Sequence, residues 1–521
     1  MIDFVPAWYP PERPWYSTEE VWFRGETEPQ IDDTVSRLRI FREGDEQARL
    51  LILNYAPGLR RTLHAQGLFD VPYWSFFDEV QGLDDDYARP LDFLDLDWPA
   101  DVAFFYNPFV VTVMRGAGVY ARVYLSRAGT LHSVRYYGDG MPTVEHVYDD
   151  RGFLSSVLMH DEVGLPVTQY YLSRAGDVIV SEDVRSGRID VVQGEDERFR
   201  HPSYENWEAL IADFLAAELG GGGPEDTVVL AVSPQHDALV ASALGAQLLV
   251  LSCSAARPAR VDEALLARAG AVFADFGDPW GDDPEPSGAW STLPVLSIYP
   301  LEDRPGFGAS ANESRVYVSV FADGIDAAEL DFAIATMAPQ LVRDRTHLLV
   351  CTARPQDLDH VHAVQGVIAG YHRLDLAVLE EDETLRLAVD VGVADEPEEK
   401  IQLTSVESEA ELSRVMARSR VLVDLGPRPS IRLSAAAIDA GVPQINRAEH
   451  ELATHRINGY TIGDDDELGA ALDYFLNGLE HWNQSLVQCR VLVDLFSPRE
   501  VLARWELIRE GVAHARAADR P

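Results

Sequence analysis

Two hydrophobic periods alternate along this 521-residue chain, and their order restricts the fold more than any single residue does. Short apolar runs such as Leu50–Leu53, Val102–Tyr106, Thr227–Val232, Leu248–Ser252, Ala271–Asp275, Arg315–Val320 and His347–Thr352 read as buried strands, with helical patterns between them. Buried strands separated by helices predict parallel sheets assembled from βαβ units. From about Arg115 to Val192 the period changes to two. There Tyr120–Leu125, Leu131–Tyr137, Val144–Tyr148, Leu154–His160, Val167–Leu172 and Val178–Ser181 are punctuated by Ala128-Gly129, Gly138-Asp139-Gly140, Asp150-Arg151-Gly152 and Ala175-Gly176. The pentapeptide Leu-Ser-Arg-Ala-Gly occurs at Leu125–Gly129 and again at Leu172–Gly176, which suggests duplicated hairpins. Alternation with glycine turns predicts an antiparallel meander inserted into the first α/β domain.

The expected organisation follows. A first α/β domain takes 1–114 and 201–300, the inserted sheet 115–200, and a polar linker 301–314. A second α/β domain takes 315–490, and a helical segment, 491–521, packs back on the first domain. In that tail Leu502, Trp505 and Ile508 share one helical face. Asp32 or Asp33 is a candidate N-cap for the first helix, and a breaker-rich stretch from Gly277 to Ser291 is expected as a link.

Charge excludes some partners. With 43 basic and 86 acidic residues the net charge is −43, which disfavours nucleic acid or an anionic membrane as a direct partner. Lys400 is the only lysine, so nearly every cation is an arginine. Cys253, Cys351 and Cys489 are odd in number and far apart, which gives neither a disulfide framework nor a zinc pattern. His64, His146, His160, His236 and His455 have no second ligand at metal-like spacing, and no metal or cofactor is expected. Ser233-Pro234-Gln235-His236-Asp237 reads as a turn with a cap, because a catalytic triad is a constellation in space. No run approaches the roughly 20 apolar residues of a membrane helix, and the N-terminus lacks a signal-peptide pattern, so a cytoplasmic protein without membrane insertion is expected.

The second α/β domain carries the most specific pattern. Strand Val421-Leu422-Val423-Asp424 leads through a loop into a helix from about Ser430 to Ala440, which exits at Gly441-Val442-Pro443; Asn458-Gly459-Tyr460-Thr461-Ile462 follows. This stretch resembles the sugar-nucleotide half of retaining glycosyltransferases of the GT-B fold, two Rossmann-like domains facing a cleft. The resemblance implies two glutamates in the pattern E-x7-E, and their places are taken by Arg428 and Ala436. The arginine and lysine that such enzymes use near the start of the domain are also missing, since Ser319–Gly324 holds no basic residue. Without them a departing diphosphate loses its electrostatic stabilisation. The helix start beside Arg428, Ser430 and Arg432 could still hold an anion or sugar, or Ser430 could be only a cap.

At the other end, Phe4–Tyr16 places Trp8, Arg13 and Trp15 on a proline-stiffened loop after the first strand, suited either to contact with a glycan or partner or to a satellite core. This segment, with Ile31-Asp32-Asp33-Thr34, Leu51-Ile52-Leu53-Asn54-Tyr55, Gln66-Gly67-Leu68 and Trp74-Ser75-Phe76-Phe77-Asp78-Glu79, resembles the accessory secretory protein 1 family. The resemblance implies a non-catalytic, glycosyltransferase-like adaptor. Its implied partners are other accessory Sec proteins, the accessory Sec motor ATPase and a glycosylated serine-rich repeat adhesin. It also implies recruitment to the inner face of the membrane by the translocase. The rival expectation is an active GT-B enzyme moving sugar from a nucleotide-sugar donor to a protein or glycan.

Overall fold

A computed structural model describes residues 1–10, 13–17, 33–44, 46–83, 89–107, 109–126, 128–192, 196–254, 257, 261, 263–274, 295–297, 301, 306–343, 346–354, 357–371, 399–406, 409–427 and 429–518. Arg428 and the stretch 277–291 lie outside them. Among the described residues three sheets organise the chain. The first is parallel and has seven strands. It begins with β1 (Ile2–Val5), β2 (Ala48–Ile52) and β3 (Tyr73–Ser75). The chain then leaves to build a second, antiparallel sheet. That sheet comprises β4 (Val102–Tyr106), β5 (Val111–Arg115), β6 (Gly118–Leu125), β7 (Leu131–Gly138), β8 (Met141–Tyr148), β9 (Leu154–His160), β10 (Pro166–Leu172), β11 (Val178–Asp183), β12 (Ile189–Val191) and β13 (Ser203–Tyr204). Its strands lie in chain order, a pure meander. The chain returns to complete the first sheet with β14 (Thr227–Ala231), β15 (Leu248–Cys253), β16 (Ala269–Ala274) and β17 (Val295–Ser297), in the order β17-β16-β15-β14-β1-β2-β3.

The third sheet, again parallel, contains β18 (Val316–Phe321), β19 (Thr346–Thr352), β20 (Ile401–Ser405), β21 (Ser419–Asp424), β22 (Gln444–Asn446) and β23 (Gly459–Thr461), ordered β20-β19-β18-β21-β22-β23. Its central strands are buried along their length, because helices cover both faces and every side chain must be apolar or paired.

Two expectations need correction. The strand Val102–Tyr106 was expected in the first parallel sheet; it pairs antiparallel with Val111–Arg115 and forms the edge of the meander. A short apolar run gives no periodicity by which to assign it to one sheet or another. Nor does the meander stand wholly apart. Val147, Tyr171, Ile179, Val180, Ile189 and Tyr204 join Val5, Leu51, Phe77 and Leu210 in one core, and only the β4–β8 side has a core of its own around Val113, Val123 and Val134.

The last helix lies against the first sheet. Trp505, on the helix Pro498–Ala518, is fully buried between Phe41 (5.3 Å, edge-on) and Phe273 (5.8 Å, stacked), both from the first domain. Leu502 and Ile508 pack against the same cluster, which also takes Ile431, Ile438, Cys489 and Leu492 from the second half.

Candidate functional site

In open parallel sheets a ligand crevice forms where strand order reverses, beyond the carboxyl ends of the two strands concerned. The first sheet reverses between β1 and β14, the third between β18 and β21. These two points are reached by the loops that carry the sequence motifs.

The crevice of the second half is filled from within. The loops after β18 and β21 press together so closely that a Cβ on Gly324 would lie 3.1 Å from the Cα of Gly426. Asp424, at the end of β21, is buried, and burial raises its pKa. Its carboxylate accepts the backbone N–H groups of Gly426 (3.2 Å) and Ser430 (2.8 Å). Ser430 then caps the helix Ile431–Ala440 by accepting from Leu433 N–H at 3.4 Å, and Gly441 ends it at φ 72°. A carboxylate of the chain itself therefore occupies the helix start where an external anion would approach. Arg432 is partly buried on that helix, and Ala436 lies in its core with Leu433, Ala437 and Leu422, where a glutamate would be buried uncompensated.

Two arginines that no sequence motif marks come close to this crevice, and both are engaged. Arg354 donates to the Asp323 backbone carbonyl at 2.8 Å, while the Asp323 carboxylate accepts from Thr352 Oγ1 (2.6 Å) and Ala353 N–H (2.7 Å). Arg447 bridges Glu329 (2.7 Å) and Asp465 (2.9 Å). Both partners come from separate elements, which is why spacing along the chain does not expose them.

The crevice of the first half is also internally satisfied. Tyr9, after β1, meets His236, after β14, at 2.5 Å between Oη and Nδ1; His236 Nε2 donates to Ala231 C=O at 2.8 Å. Those partners fix a neutral imidazole, and burial lowers its pKa to about 3. Beside it Asp33 opens the first helix and is the centre of an ion knot, while the other candidate cap, Asp32, lies outside the described residues. Arg257 grips it through both oxygens (2.9 and 2.8 Å), Arg37 reaches it at 3.0 Å, and Ser252 donates to it. Burial alone would raise the Asp33 pKa, but Arg257 and Arg37 together hold it well below the usual carboxylate range.

The three aromatic-loop residues divide. Arg13 donates to Gln169 (3.0 Å) and Glu182 (2.8 Å) of the meander and lies 4.4 Å over the Tyr16 ring; Trp15 donates to Glu208 at 2.7 Å and packs edge-on with Tyr9. Both therefore stitch the loop to the meander and to the helix Trp207–Leu219. Trp8 is partly exposed and packs on the cluster shared by the two halves. The structure thus leaves Trp8 on that cluster and turns Arg13 and Trp15 into the first domain. Among the described residues no group of three or more His, Cys, Asp or Glu could hold a metal ion, and no helix is long and apolar enough to cross a membrane.

Comparison with known proteins agrees with this geometry. A family model for accessory Sec system proteins of the accessory secretory protein 1 kind matches residues 1–511. The corresponding protein of Streptococcus gordonii is 27% identical over 523 residues, covering 97% of this chain and 98% of that one. Among solved structures, the crystal structure of accessory secretory protein 1, 2 and 3 in Streptococcus pneumoniae superposes with a TM-score of 0.80 at 24% identity, covering 99% of this chain and 100% of the other. The pneumococcal O-GlcNAc transferase GtfA, in complex with UDP and GlcNAc, superposes at 0.65 with 12% identity, covering 99% of each chain. The fold is accordingly α/β and GT-B-like with an added antiparallel sheet, and the chain belongs to the accessory secretory protein 1 family of the accessory Sec system.

Proposed function

We propose that this chain is a non-catalytic adaptor: a GT-B scaffold that joins other accessory Sec proteins and, with them, serves the motor ATPase in exporting a glycosylated serine-rich adhesin. Its place of action is the cytoplasm, at the inner face of the membrane where the translocase recruits it. The observation that carries the reading is the neutralised crevice of the second half. Asp424 occupies the helix start, Ala436 is core, and Arg354 and Arg447 are engaged by Asp323, Glu329 and Asp465, so neither of these two arginines is free to stabilise a departing diphosphate. Arg428, Ser430 and Arg432 are in this proposal the remnant of a binding loop. The relative solved with accessory secretory proteins 2 and 3 supports the adaptor role by analogy of fold.

Incubation of the purified chain with UDP-glucose or UDP-N-acetylglucosamine should release UDP no faster than buffer does. Multiple turnovers, abolished by Arg428→Ala, would overturn the proposal and make the protein a glycosyltransferase.

A further inference from the structure

A sheet edge left bare is a rarity, because its free N–H and C=O groups template pairing with another chain. Most edges here are blunt: β13 has two residues, and β3, β17 and β23 have three each. The edge β20 has five residues, Ile-Gln-Leu-Thr-Ser, with no aromatic among them. The edge strand β4 has five residues, Val-Ala-Phe-Phe-Tyr, and among the described residues no strand covers its outer side. Phe105 is 58% exposed and Tyr106 67%.

The phase of the free groups can be assigned. Asn107 N–H donates to Val110 C=O at 3.3 Å across the β4–β5 turn, and the register pairs Phe105 with Thr112 and Ala103 with Met114. Backbone groups alternate sides along a strand, so Ala103, Phe105 and Asn107 direct theirs at β5. Phe104 and Tyr106 direct theirs outward. One face of the strand is already supported, by Phe93 and Trp98 stacked edge-on against Phe104 at 5.8 and 5.6 Å, so the edge is held rigid rather than frayed.

The surroundings indicate what would fit. Asp92, Asp95, Asp97 and Asp101 are all exposed on the segment leading into β4, with Arg115 paired to Asp101 at 2.9 Å. A second copy would bring this acidic rim against itself, and two chains of charge −43 repel. We propose that the outer edge of β4 is a docking site for an extended strand of a companion protein, with apolar side chains against Phe105 and Tyr106 and lysine or arginine beside the acidic rim. The strand would extend the ten-stranded sheet by main-chain hydrogen bonds, while the rim would set its direction and partner. The proposal rests on the adaptor reading and names its surface.

The test uses the full chain co-expressed with the accessory secretory proteins 2 and 3 of the same organism, with complex formation followed by light scattering on a sizing column. Tyr106→Pro removes one outward N–H at a position where an edge strand tolerates proline; Phe105→Lys changes only an exposed side chain. Each should weaken the complex at least tenfold while leaving the melting temperature of the isolated chain unchanged. In the wild-type complex, hydrogen exchange at Phe104 and Tyr106 should slow at least tenfold, and that at Ala103 and Phe105 should stay as it was. A wild-type complex that both variants match in affinity, with Phe104 and Tyr106 exchanging as in the free chain, overturns the edge while leaving the adaptor role standing. No complex with the wild-type chain overturns both. A wild-type dimer in the absence of companions, lost in Tyr106→Pro, assigns the edge to a second copy and overturns the occupant proposed.

Discussion

His236 illustrates how a residue that looks catalytic can be structural. It is fully buried, and burial, with Arg257 adding repulsion, lowers its pKa to about 3 even though the bond to Ala231 favours the charged form. The folded value lies below the ordinary imidazole value of 6.5, so between those limits the unfolded chain binds the extra proton. Stability is therefore complete above pH 6.5 and falls by about 1.4 kcal/mol per pH unit as pH drops toward 3. Asp33 loses its contribution only as pH falls below the ordinary carboxylate value of 3.8, outside the window between pH 5 and 6.5. Asp150, raised by burial to about 6, takes up its proton within that window in the folded state and acts in the opposite sense to His236, in wild type and variant alike. In urea unfolding, His236→Gln should lose about 2 kcal/mol less than wild type between pH 6.5 and 5. Equal losses would show that His236 titrates as an exposed imidazole. The sequence marked Ser233–Asp237 as a turn, which it is. It carried no sign of Tyr9, because that contact spans 227 positions and depends on β1 and β14 becoming neighbours.

At the scale of elements, local chemistry foretold much. The cap Ser430, the αL glycine Gly441 and the apolar face of the tail are short-range signals, and each is found where its spacing places it. What short-range pattern could not supply is the identity of the facing surface. Trp505 has no exposed surface and is held by one ring from the first helix and one from β16, so the tail is built into the first domain. Trp505→Ala should cost about 3–5 kcal/mol, since it removes the largest fully buried side chain among the described residues and leaves a void between two rings. Truncation before Ser497 should lower the melting temperature further and raise the radius of gyration, because Leu502, Ile508 and Val512 leave the same cluster together with Trp505. A truncated chain with unchanged melting and scattering would mean that the tail is not bound in solution.

At the scale of the whole molecule, the two parallel sheets and the meander were legible from period alone, but the division between them was not. Arg60 and Arg151 show why. They sit on different sides of the expected boundary and meet Asp78, Asp149 and Asp150 in one part-buried network, with Arg151 2.8 Å from both Asp78 and Asp149. No run of residues announces such a knot, because Arg151 and Asp78 are separated by 73 positions and gain their meaning only once the sheets are apposed. The consequence is mechanical. A meander that merely projected from the first domain could be replaced by a short linker at no cost to that domain. Here, excision of 102–204 would expose Tyr55, Phe77 and Trp207, which pack on Tyr171 at 5.2, 5.3 and 5.2 Å, and would strand Arg60 without two of its three carboxylates. A buried charge left unpaired costs several kcal/mol by itself, beyond the lost apolar contact. The excised protein should therefore lose the first domain's protection from hydrogen exchange while the second domain, whose core around Val320, Val350 and Val423 contains no meander residue, keeps most of its own. Retained protection in both parallel sheets would show that the first domain closes over the gap, and that the meander's attachment to it is dispensable.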